Sequence, residues 1–178
     1  MNLEDAKKVF SDDATNVIDI KNLSRSVSYL ISGSRGLKAG ETVVIASQEC
    51  MMDTFDLGEG RKSTPTLCVA GVITDKNGNE RAQKFSLSQL KRRTYGKTLK
   101  TVSSTEFPNV ETTDIEMTFK TDDENETVTL VNDVKFKVAK IETHYVSVFD
   151  QVAKKSKLDD AGNVILEAKA IPILQTIK

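Results

Sequence analysis

Thr66-Leu67-Cys68-Val69-Ala70-Gly71-Val72-Ile73-Thr74, followed by Asp75-Lys76-Asn77-Gly78-Asn79 and then Glu80-Arg81-Ala82-Gln83-Lys84-Phe85, reads as a β-hairpin. Leu67, Val69 and Ile73 share one face of an extended chain with Gly71 between them, and Cys68, Ala70 and Val72 share the other. A strand that is apolar on both sides belongs in the middle of a sheet. The Asn77-Gly78 pair predicts a tight turn, because such hairpins need positive φ angles. The return strand is expected from about Glu80 to Phe85.

Outward from this hairpin the chain keeps a β character. On the N-terminal side, the glycine-punctuated segment Gly33 to Gly40 leads into Thr42-Val43-Val44-Ile45, a β-branched strand. A polar loop, Asp53 to Ser63, separates that strand from the hairpin. On the C-terminal side, Ile115, Met117 and Phe119 alternate with polar residues, Asp122-Asp123-Glu124-Asn125 turns, and Thr127 to Val131 returns with Val128 and Leu130 inward. This pattern implies a meander that continues through Val134, Phe136 and Val138, with Tyr145 to Phe149 extending that strand or adding one. Asp159-Asp160-Ala161-Gly162-Asn163 repeats the Asp-x-x-Gly-Asn form of Asp75 to Asn79. Pro172 marks Ile171 to Ile177 as an edge strand or docked tail.

Helical patterning is scarce. Leu3 to Phe10 has helical apolar spacing and stops before Ser11-Asp12-Asp13, which predicts a short helix acting as an arm or lid. Val17 to Ser32 fits a strand or a helix, with helix favoured. Ser86-Leu87-Ser88-Gln89 has capping-box form and Gly96 suits a helix end, predicting a helix from Leu87 to Thr94. The expected organisation is an N-terminal helix or arm over residues 1–16 and a single β-rich domain over 17–178. Its class is mainly β with minor α: a small β-barrel of OB-like kind, or a sandwich, of about seven short strands with one to three short helices.

With 178 residues, 38% hydrophobic and 29% charged, the chain can build a real core and is not of disordered composition. Twenty-five basic residues against 26 acidic ones give a formal charge of −1, which excludes a molecule-wide attraction to polyanions. The N-terminal residues lack the basic-then-apolar layout of a signal peptide, and the longest aliphatic runs are far too short for a membrane span. A cytoplasmic protein is expected, in a host cytoplasm if it is viral, with no membrane contact. Cys50 and Cys68, the two cysteines, are then reduced, and Cys68 is expected to be buried.

No enzyme is expected, and neither catalytic residues nor a metal site nor a cofactor is predicted. His144 is the sole histidine, and it alternates within a strand pattern, so a structural or surface role is expected. Cys50, Cys68 and His144 lack the spacing of zinc ligands. Gly36 to Thr42 superficially resembles a phosphate loop, but Glu41 stands where a lysine must reach the phosphates. Asp75 to Glu80 resembles a calcium loop whose glycine falls at the wrong position for the bend.

One local feature stands out. From Arg81 to Lys100 the chain carries seven cations and no acid, so the other 158 residues together hold −8. Arg81, Lys84, Lys91, Arg92, Arg93, Tyr95, Lys97 and Lys100 are the candidate nucleic-acid-binding residues. Cations suit phosphates, and an aromatic ring suits stacking of unpaired bases, so the expected partner is single-stranded nucleic acid. The alternative is a structural or assembly protein, such as a phage or virion accessory subunit. From Glu111 to Glu126 the chain holds −6, so the basic window of one copy could meet the acidic window of the next in a homo-oligomer.

Overall fold

The computed structural model describes residues 1–20, 37–86, 91–95, 98–102, 116–150 and 152–177. A helical turn, α1 (Leu3–Ala6), continues into a 3-10 turn at Lys7–Val9. Asn2 caps α1, its side-chain oxygen accepting from the Asp5 N–H at 2.8 Å, and Glu4 and Asp5 lie at the positive end of the helix dipole. The helix is one of the expected elements, but it is docked on the sheet: Ala6 is buried, and Ser11 and Thr15 are tied by hydrogen bonds to Asp53 and Met52.

The strands are β1 (Thr42–Ile45), β2 (Gln48–Glu49), β3 (Met51–Asp53), β4 (Asp56–Gly58), β5 (Arg61–Lys62), β6 (Thr66–Thr74), β7 (Glu80–Ser86) and β8 (Lys91–Tyr95). They continue as β9 (Thr98–Val102), β10 (Glu116–Asp122), β11 (Thr127–Leu130), β12 (Val134–Ser147), β13 (Phe149–Asp150), β14 (Lys155–Ser156) and β15 (Leu166–Thr176). The protein is mainly β, as its sequence pattern predicts. One sheet has the order β15-β12-β1-β6-β3, with β7 on the far edge of β6; the other has the order β2-β11-β10-β9-β8. Among the described residues these sheets do not close into a barrel. Val43, Ile45, Val69 and Phe136 of the first and Met117, Phe119, Val128 and Leu130 of the second contribute to one hydrophobic cluster.

Strand β6 is the central strand that its two apolar faces imply. It pairs with β7 along its length, while β3 takes its first residues and β1 its last on the opposite edge. Between β1 and β3 the chain crosses to the other sheet, where β2 pairs with β11. In the Asp75–Asn79 turn only Gly78 of the Asn-Gly pair has a positive φ (84°), so this is a five-residue turn and not the tight two-residue form. The Asp75 carboxylate accepts the N–H groups of Asn77 and Asn79, and Asp159 does the same for Ala161 and Asn163, so the two Asp-x-x-Gly-Asn turns are built alike.

Two expectations are corrected. The stretch Lys91–Thr94, predicted as the end of a helix, is part of strand β8, because pairing with β9 from Lys91↔Val102 to Tyr95↔Thr98 outweighs a local capping pattern. Leu87 to Leu90 lie outside the described residues. The meander also ends at β11, since β12 leaves that sheet to lie between β1 and β15 in the other. Of the ambiguous Val17 to Ser32, Ile18 is buried in the core and residues 21–32 lie outside the described ones. Pro172 falls on the edge strand β15, opposite Ile141, as its missing N–H requires.

Candidate functional site

The basic window divides in two. Arg81 and Lys84 lie on β7, and both cations meet buried acids. The Arg81 guanidinium forms a two-pronged pair with the Glu41 carboxylate, which also accepts the Lys38 backbone N–H. Glu41 is 2% exposed, and the Arg81 hydrogen bond, opposed by burial, holds its carboxyl below the usual range. Lys84 donates to Asp53 at 2.9 Å and to the Thr54 carbonyl at 2.6 Å, and its ammonium stands 4.7 Å from the Phe55 ring centroid. Burial alone would raise the Asp53 pKa. Hydrogen bonds from Ser11, Lys84 and the Thr54 N–H outweigh it and hold this carboxyl far below the carboxylate range. These cations are committed within the chain, which their sequence positions do not reveal.

The other part is the β8–β9 hairpin. Lys91, Arg92, Arg93 and Tyr95 are on β8 and Lys100 is on β9; Lys97 lies outside the described residues. The register sets Arg93 opposite Lys100. Five cations with no acid fall between positions 91 and 100. Among the described residues, strand β8 ends the order of its sheet. The acidic segment is not remote: β10, which leads into Asp122-Asp123-Glu124, pairs directly with β9, so the two charged windows are neighbours within one chain.

The two loop sequences with phosphate-loop and calcium-loop echoes come together. Lys38, Ala39, Glu41, Asp75, Lys76, Asn77 and Arg81 line a shallow cleft of about 340 Å³. Gly40 is required there, with φ at 86° and Lys76 lying across the space a side chain would fill. The cleft mixes three cations with two carboxylates, one of them paired to Arg81, so it offers no clear field to an anion or a metal.

Cys50 and Cys68 are both free and buried, and burial pushes each thiol up, away from the reactive thiolate. His144 lies on β12 opposite Lys169. Among the described residues no group of three or more His, Cys, Asp or Glu side chains could hold a metal, and no helix is long and apolar enough to cross a membrane. The chain matches no protein-family model, no curated protein and no solved structure.

Proposed function

We propose that this is a non-enzymatic protein that binds single-stranded nucleic acid through the β8–β9 hairpin, with Lys91, Arg92, Arg93, Lys97 and Lys100 as phosphate contacts and Tyr95 as a stacking ring. The observation that carries this reading is the run of five cations with no acid between positions 91 and 100, four of them on the paired strands β8 and β9, with β8 the last strand of its sheet among the described residues. Like charges at opposed positions such as Arg93 and Lys100 cost stability unless an anion lies between them, and a phosphate backbone supplies that anion. Binding would release condensed counterions and read backbone and base faces in preference to sequence. An OB-like barrel presents oligonucleotides with a similar chemistry on a closed sheet; here the hairpin's charge supports the reading, not the sheet's closure. Such a protein would work in a cytoplasm.

Fluorescence anisotropy of labelled single- and double-stranded oligonucleotides tests this. Single-strand binding at micromolar levels that weakens with salt, and that is lost in Lys91→Ala/Arg92→Ala/Arg93→Ala, is expected. Cations on an edge strand also deter edge-to-edge pairing; absence of binding at low salt would leave them that role alone. The alternative reading, an assembly protein in which the basic window of one copy meets the acidic window Glu111 to Glu126 of the next, predicts instead self-association without any ligand.

A further inference from the structure

Strands β12 and β15 pair from Phe136↔Thr176 to Ser147↔Leu166, yet β1 accompanies β12 only as far as Lys137. From Lys140 to Ser147 the ribbon has no third strand among the described residues. At roughly 3.3 Å per residue this two-stranded arm is about 25 Å long. Its tip is ordered by its own backbone. The Val148 N–H donates to the Ile165 carbonyl at 3.0 Å, Lys157 to Val148 at 2.7 Å, and Ile165 to Lys157 at 3.0 Å.

This arm holds apolar surface that water should not face. Among the described residues, eight of the thirteen exposed large hydrophobic side chains fall between Ile141 and Leu166, so the exposure is concentrated and not scattered. Tyr145 is 70% exposed, Val152 95% and Leu166 58%. A lone two-stranded ribbon is marginal in water, and clustered apolar exposure marks an interaction surface.

The charge pattern selects the occupant. From Val148 to Leu166 the tip carries three lysines, Lys154, Lys155 and Lys157, and three aspartates, Asp150, Asp159 and Asp160. A neutral tip gives no attraction to nucleic acid or to a strongly charged protein. Its basic and acidic stretches are adjacent, so a two-fold axis can set Lys154 to Lys157 of one copy against Asp159 and Asp160 of another, with apolar side chains between them. We infer that the tip of the β12–β15 arm is a dimerisation surface that binds the same tip of a second copy of this chain. This goes beyond the nucleic-acid reading and does not depend on it.

Sedimentation velocity of the full chain over a wide concentration range, without nucleic acid, tests the inference. A concentration-dependent dimer is expected. Val152→Glu, at a side chain too exposed to affect folding, should weaken it by about tenfold or more, and Phe149→Glu should do likewise. Lys157→Asp should weaken the dimer, and adding Asp160→Lys in the same chain should restore it. A chain that stays monomeric at every concentration, a dimer that tolerates both apolar variants, or a charge swap that fails to restore association would each overturn the inference.

Discussion

The side-chain amide of Gln48 completes the hydrogen-bond ladder of β6 at Ala70. Its Nε2 donates to the Ala70 carbonyl and its Oε1 accepts the Ala70 N–H, both at 2.8 Å, and Nε2 also reaches the Ala46 carbonyl at 2.9 Å. Ala70 sits where neither β1 nor β3 reaches β6, because the chain between them has crossed to the other sheet. A strand edge left open inside a core would orphan both backbone groups, and the 5% exposed Gln48 side chain takes the place of the missing strand.

Gln48→Ala should therefore destabilise the protein by about 2–4 kcal/mol, since it strands a buried donor and a buried acceptor together. Gln48→Met, which keeps the volume, should recover little of that loss. Urea unfolding gives the magnitude, and hydrogen exchange locates it: the Ala70 amide should lose protection before its neighbours in β6. An Ala70 amide equally protected in wild type and Gln48→Ala would show that the amide ladder contributes nothing.

Asp53 and Lys84 make stability depend on acid. The folded-state pKa of Asp53 lies below its unfolded value of about 3.9, so its contribution is fully present above that value and is lost as pH falls. Glu41, also lowered, adds in the same direction. Wild type should lose stability progressively as pH falls below about 4, and Asp53→Asn should lose less over that range while being weaker at neutral pH. Lys84→Met should cost about 3 kcal/mol or more at pH 7, because it leaves a buried carboxylate without its cation. Parallel acid profiles for wild type and Asp53→Asn would assign the acid sensitivity elsewhere.

Gly71 is fixed by Phe85. A Cβ at position 71 would lie 2.7 Å from the Phe85 ring and 3.1 Å from Ile45, and both neighbours are core residues without exposure. Gly71→Ala should cost about 1–3 kcal/mol from overpacking. Phe85→Leu in the same chain should relieve part of that strain, so a double-mutant cycle should give a favourable coupling between the two substitutions. Additive effects would mean that the ring moves aside freely.

These relationships differ in how far the residues announce them. The β6–β7 hairpin, the edge position of Pro172 and the paired Asp-x-x-Gly-Asn turns are local, set by alternation, a missing N–H and a carboxylate that caps its own turn, and each is legible in the chain. Gln48 is not, because an isolated glutamine between Ala46 and Cys50 carries no sign of which distant strand lacks a partner. The window from Arg81 to Lys100 shows the same limit. Its charge is visible by counting, but Arg81 and Lys84 are neutralised by Glu41 and Asp53, roughly 30 to 40 positions away, through strand pairing. For Lys91 to Thr94 the local capping pattern and the terminal cations point to helix, and only the register with β9 makes the segment a strand.

The division of the basic window has a measurable consequence for binding. Each phosphate contact by a cation contributes about 0.7 to the slope of log affinity against log salt for a single strand. Removing Lys91, Arg92 and Arg93 together should lower that slope by about 2 and weaken binding across unrelated sequences. Arg81→Ala and Lys84→Met should leave the slope unchanged while lowering stability, because their cations already hold Glu41 and Asp53. Tyr95→Ala should reduce affinity with no change in slope, since stacking releases no counterions. Anisotropy titrations at several salt concentrations separate the cases. An equal loss of slope from Arg81→Ala and from Arg93→Ala would mean that the buried pairs open to meet the ligand, and the site would then extend along the whole window.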